Sequence, residues 1–82
     1  MRVIISEDAE KQYKHLPKSA QTKIAKKLQA LTTNPFAGKK LSGEFKKFWS
    51  IRAWPYRIIY EINEKEKRLE IHKISHRQGV YR

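Results

Sequence analysis

Cysteine is absent from the 82 residues. That excludes disulfides, thiolate metal sites and a cysteine nucleophile, and it fits a reducing compartment. Long apolar runs are missing too: none approaches the roughly 18–20 residues of a membrane span. The opening MRVIISEDAE turns acidic too early for a signal peptide, so a cytoplasmic protein with no membrane partner is expected. Acidic residues are scarce, eight Asp and Glu against nineteen Lys and Arg, for a formal net charge of +11. No internal repeat, low-complexity segment or linker interrupts the chain.

What is present describes a folded domain. Hydrophobic residues make up 39% of the chain and charged residues 33%, with a mean hydropathy of −0.81. The apolar positions recur periodically, which a disordered basic tail would not show. The length suits one domain spanning residues 1–82, and a chain this short buries only roughly 60–65% of its unfolded surface. Self-repulsion at this charge opposes compaction, so a polyanionic partner is expected, nucleic acid first and an acidic protein second.

Residues 2–6, RVIIS, read as a short β-branched strand that ends at Ser6, Glu7 and Asp8. Ser6 makes half a capping box, and Glu7, Asp8 and Glu10 suit a helix N-terminus. Ala9, Tyr13 and Leu16 then form one stripe on a first helix, which Pro17 ends. A second helix is predicted over 18–31, with Ala20, Ile24, Leu28 and Leu31 inward and Lys18, Lys23, Lys26 and Lys27 outward. Thr32, Thr33, Asn34 and Pro35 stop it, and residues 36–43 read as a loop. Strands are predicted over 48–53, 56–62 and 68–75, with a charged turn at 63–67. The class is α+β in the order β-α-α-β-β-β, a helical hairpin packed on one face of an antiparallel-rich sheet.

Around IRAWPYRIIYEI, side-chain alternation makes a sharp division. If Ala53 pairs with Tyr56, then Trp49, Ile51, Ala53, Tyr56, Ile58, Tyr60 and Ile62 share the helix-bearing face. Phe48, Ser50, Arg52, Arg57, Ile59 and Glu61 take the other. Arg52 then stands across from Arg57, a like-charge pair that costs up to about 1 kcal/mol and suits a phosphate held between two forked guanidiniums. Pro55 fits a tight primed turn poorly, so a longer turn or a cis bond is expected. Ile74 breaks the alternation of Leu69 and Ile71, which points to a bulge or a buried second face. The returning strand is expected to bring residues 74–77 towards Arg57.

YRIIYEI, a charged turn and IHKISHRQGVY, preceded by NPFAGKKLSGEFKKFWSIR, together resemble the RelE/ParE superfamily of toxins from type II toxin–antitoxin systems. The resemblance covers essentially the whole chain and is closest to the RelE-like branch. It implies a small cytoplasmic toxin that cuts messenger RNA on the ribosome and is neutralised by a cognate acidic antitoxin. It places Arg57 on the scissile phosphate and carries Arg77, Tyr81 and Arg52 into the catalytic set. The RelE lysines of the preceding strand fall on Phe48 and Ser50 here, with Lys46 and Lys47 shifted just upstream; these four are expected to contact substrate. Three readings follow: a RelE-like ribonuclease, a ParE-like inhibitor of DNA gyrase, and a non-catalytic RNA-binding domain.

Metal-free RNA cleavage needs a group to deprotonate the 2′-hydroxyl, charge to neutralise the phosphorane, and an acid for the leaving 5′-oxygen. Arg57, Arg77 and Arg52 suit the second task. Tyr81 or His76 suits proton transfer, with Glu61 a weaker base candidate, and the expected product is a 2′,3′-cyclic phosphate. His15 and His72 read as structural or surface residues. No set of carboxylates in the pattern converges on a metal, which argues against a two-metal nuclease; neither a cofactor nor a metal is expected.

Overall fold

The computed structural model describes residues 1–76; Arg77 and Tyr81, and the tail that holds them, lie outside the described residues. Strand β1 (Arg2–Ile5) leads into helix α1 (Glu7–Lys14) through Ser6. The Ser6 hydroxyl accepts from the Ala9 amide at 3.0 Å and donates to the His72 carbonyl at 3.0 Å. One side chain therefore caps a helix and ties it to the last strand. Glu7, Asp8 and Glu10 lie in the first turn and Lys11 and Lys14 in the last, the arrangement the helix dipole favours.

Helix α2 (Lys18–Thr33) begins at Pro17. The helical hairpin is held by a reciprocal pair: the Tyr13 hydroxyl donates to the Gln21 carbonyl at 3.3 Å, and the Gln21 amide donates to the Tyr13 carbonyl at 3.0 Å. Ala9, Ala20, Ile24 and Leu31 are buried, and Tyr13, Leu16 and Leu28 pack partly buried beside the core. Both apolar stripes face the sheet as the spacing predicts. The helix runs two residues past the expected Leu31 before the Asn34 side chain, accepting from the Phe36 amide at 3.3 Å, starts a 3-10 turn over Pro35–Ala37.

The sheet has the order β1-β5-β4-β3-β2, from strands β2 (Lys39–Lys40), β3 (Trp49–Ala53), β4 (Tyr56–Asn63) and β5 (Arg68–His76). It is mixed: β1 runs parallel to β5, and the other pairs are antiparallel. Strand β2 corrects the expectation of a loop over 36–43, for it pairs Lys39 with Ser50 and Lys40 with Trp49. Two residues are too few to leave a periodic signal. A second 3-10 turn, Gly43–Phe45, follows, and the Phe48 amide closes onto the Phe45 carbonyl at 2.9 Å, so β3 starts at Trp49 and not at residue 48.

The β3–β4 register is the predicted one, with Ala53 opposite Tyr56 and Arg52 opposite Arg57. Ala53, Ile58 and Tyr60 are buried on the helix side with Leu69, Ile71 and Ile74 from β5. The Trp54-Pro55 bond at the hairpin corner is cis, the arrangement in which proline occupies the third position of so tight a turn. The expected irregularity in β5 is a bulge. Ile59 pairs with Lys73 and Tyr60 with Ile71, so His72 is the extra residue, and Leu69, Ile71 and Ile74 all reach the core despite their uneven spacing. The Gln12 side chain accepts from the Ile74 amide at 2.8 Å beside that bulge.

Tyr60 fastens the loop beyond α2 to the sheet. Its buried hydroxyl donates to the Pro35 carbonyl at 2.8 Å and accepts from the Gly38 amide at 3.2 Å. Gly38 approaches so closely that a Cβ there would strike the Tyr60 hydroxyl and sit 2.7 Å from the Ser50 carbonyl oxygen. Phe36 adds an edge-on contact to Trp49, with ring centroids 5.5 Å apart. The segment that carries Lys39 is thereby positioned against β3.

Candidate functional site

Strand β2 covers only Trp49 and Ser50 of β3. Ile51 and Arg52 have no β2 partner, and a cleft of about 710 Å³ lies along them. Lys27, Lys39, Arg52 and Arg57 line it together with the buried Ser50 and with Gly38. Among the described residues, no acidic side chain contributes to the lining. Four cations around one concavity repel one another and are relieved by a bound anion, and the low-dielectric wall strengthens that attraction.

Arg52 is exposed and Arg57 half-buried. Their cross-strand opposition presents two forked donors from one pleat, the geometry suited to the oxygens of one phosphate. The Arg52 guanidinium also lies 5.9 Å from the centre of the Trp54 ring, which restrains it at the cleft mouth. Lys27 comes from the flank of α2 and Lys39 from β2. Spacing alone puts Lys27 on an outward helix face that attracts RNA phosphates non-specifically, and leaves Lys39 in a loop. The signal available was the pair of lysines immediately after Gly38.

The other expected contacts divide. Ser50 lines the cleft. Lys46 caps the 3-10 turn Gly43–Phe45. Lys47 stacks its ammonium 5.3 Å from the Phe48 ring, and Phe48 meets the His72 ring edge-on at 5.1 Å. These two thus belong with the bulge end of the sheet. His76 registers with Tyr56, their rings edge-on at 5.6 Å, while Ser75 is the residue opposite Arg57. The returning strand therefore reaches Arg57 as expected, with His76 one position along it from the residue that faces Arg57. Arg77 and Tyr81 fall outside the described residues.

Glu61 lies four residues along β4 from Arg57, about 13 Å at the strand rise. It accompanies Glu70, directly opposite, and His72, whose Nε2 is 3.1 Å from the Glu61 carboxylate. Possible ligand atoms of Glu61, Glu70 and His72 all lie within 4.8 Å of one another, contrary to the expectation that no carboxylates converge. Glu70 and His72 share a face by strand alternation, and the β4–β5 register sets Glu61 opposite Glu70 on that same face. Arg68 pairs with Glu70 at 3.2 Å, so this cluster already carries its own counter-charge. Burial raises the pKa of Tyr60 above its ordinary 10.0, with the Gly38 hydrogen bond offsetting part of the rise; this phenol serves the fold and lies beneath the cleft.

A family model described as the ParE toxin of type II toxin–antitoxin systems matches residues 3–81. No curated protein sequence matches the chain. Among solved structures, the toxin–antitoxin complex RelBE2 of Mycobacterium tuberculosis superposes with a TM-score of 0.85 at 23% identity, covering 92% of this chain and 95% of that one. The archaeal RelE–RelB complex of Pyrococcus horikoshii gives 0.81 at 27% identity, with 96% and 97% covered. The YoeB/ParE toxin of Agrobacterium tumefaciens gives 0.80 at 21% identity, with 93% and 98% covered. Likeness at such identities establishes a common fold.

Proposed function

The chain belongs to the ParE toxin family of type II toxin–antitoxin systems, and we propose that it acts as a metal-independent ribonuclease that cuts messenger RNA on the ribosome. The observation that carries this reading is the Arg52–Arg57 pair, opposed in register and lining one cationic cleft with Lys27 and Lys39. A scissile phosphate held there gives its charge to the two guanidiniums. As the 2′-hydroxyl oxygen attacks phosphorus, its proton passes to a base. The 5′-oxygen leaves with a proton from an acid, and a 2′,3′-cyclic phosphate remains. The arginines favour the transition state over the ground state because the phosphorane carries more negative charge than the diester. Arg77 and Tyr81 are assigned to the third cation and the proton transfer by family resemblance.

The Pyrococcus horikoshii and Mycobacterium tuberculosis relatives are complexes with an antitoxin. We assign the same kind of partner here, an acidic antitoxin whose charge answers the formal +11. The resemblance to ParE supports a second reading, a binding toxin that inhibits DNA gyrase. Induced expression followed by primer extension on a reporter message separates the two. Cleavage between codon positions that disappears in Arg57→Ala is expected. Growth arrest with loss of supercoiling and intact messages would overturn the nuclease reading.

A further inference from the structure

A second groove, about 650 Å³, adjoins the phosphate cleft and shares Lys27 and Arg52 with it. Its other edge is formed by Lys23 and Lys26 of α2 and by Trp54 at the hairpin corner, with Ala30 and Ala53 beneath. Trp54 is 53% exposed, whereas Trp49 and Tyr56 of the same hairpin are partly buried against the core and Tyr60 is buried completely. Lys23 donates to the Trp54 carbonyl at 3.4 Å, which fixes the corner relative to α2. The Arg52 guanidinium stands beside the indole. Lys23 and Lys27 lie one turn apart on the helix, about 6 Å along its axis, a step comparable to that between successive phosphates of an extended strand.

We propose that this groove is a nucleotide subsite. The strand whose phosphate sits at Arg52 and Arg57 continues through it, with the backbone following Lys23, Lys26 and Lys27 and one unpaired base stacked on Trp54. The inference rests on the reading that RNA is the substrate. The combination of features selects RNA over an acidic peptide. Lysines alone serve carboxylates, whereas a flat apolar ring among cations is matched by a ligand that carries both phosphates and aromatic faces.

The test uses the whole chain, an uncleavable 2′-O-methyl RNA oligomer, an abasic oligomer of equal length and poly-glutamate. The RNA oligomer is expected to quench the fluorescence that Trp54→Phe removes, while the abasic oligomer binds without that quenching. Trp54→Ala is expected to weaken RNA binding by roughly tenfold, the usual scale for one stacked base. It should leave the slope of affinity against salt unchanged. Lys26→Ala should lower that slope by about 0.7 and leave the quenching intact. Equal quenching by the abasic oligomer, wild-type affinity in Trp54→Ala, or quenching by poly-glutamate would each overturn the subsite. The quenching needs no destabilised variant. Messages cut on the ribosome without Trp54 quenching sink the subsite alone; Trp54 quenching with uncut messages keeps the RNA groove and sinks the nuclease.

Discussion

Arg52 stands directly opposite Arg57 in the β3–β4 ladder, so two guanidiniums share one pleat at a cleft with no acid in its lining among the described residues. Such opposition opposes folding by some tenths of a kcal/mol up to about 1, and salt screens it. Stability of the wild type should rise as salt is added, and the rise should be shallower in Arg52→Gln by that amount. Chemical denaturation in urea at low and high salt reads the difference. Equal slopes would mean that the pair does not repel appreciably in the free protein.

The Tyr60–Gly38 contact makes a second prediction. Tyr60→Phe removes the hydroxyl that serves both Pro35 and Gly38, a loss of about 1–3 kcal/mol for buried partners left unmet. Gly38→Ala should cost about 1–3 kcal/mol through overpacking, because its Cβ would meet that hydroxyl and the Ser50 carbonyl. Made together, the two changes should cost less than their sum, since the phenolic oxygen is one of the two obstacles. Additive urea midpoints would disprove the contact as described.

Alkaline stability follows from the same phenol. Burial raises the folded pKa of Tyr60 above the 10.0 of the unfolded chain. Between those two values the native state binds more protons than the unfolded state, so stability falls as pH rises. The contribution is fully present below pH 10.0 and is lost as pH climbs towards the folded pKa. Thermal melts from neutral to alkaline pH should show a decline above that point that is shallower in Tyr60→Phe. An identical decline in both proteins would exclude Tyr60 as its source.

Ser6 links α1 to the β5 bulge as well as capping it. Ser6→Ala should therefore destabilise the protein by about 0.5–2 kcal/mol, and Ser6→Asp, which keeps an acceptor for the Ala9 amide, should recover part of the loss. Gln12→Leu should cost about 1–3 kcal/mol by leaving the Ile74 amide without its acceptor. Amide exchange at Ile74 should accelerate in the Gln12 variant and stay slow in the wild type. Unchanged exchange would show that another group protects that amide.

Much of this molecule is legible in its one-dimensional pattern, because the pattern is local. The helix stripes through Ala9 and Ile24 arise from a repeat of 3.6 residues, and the pleat through Arg52 and Arg57 from a repeat of two. The irregular spacing of Leu69, Ile71 and Ile74 signals either a bulge or a buried second face, and only the β4–β5 register decides for the bulge. A two-residue strand such as β2 carries no period, so the pairing of Lys39 with Ser50 escapes any reading of spacing. Lys27 joins the cleft only because a helix and a strand distant in the chain pack side by side.

Element order, the apolar face of the sheet, the opposition of two arginines and the excess of positive charge are all legible in the one-dimensional chain, for each depends on near neighbours or on simple sums. Tertiary structure decided which cations gather into one cleft, where His76 and Phe48 belong, and that Glu61, Glu70 and His72 meet. Those outcomes depend on how α2 and β2 lie against β3 and on the β4–β5 register, which one inserted residue at His72 shifts. A single-residue shift in a ladder moves every following side chain to the opposite face.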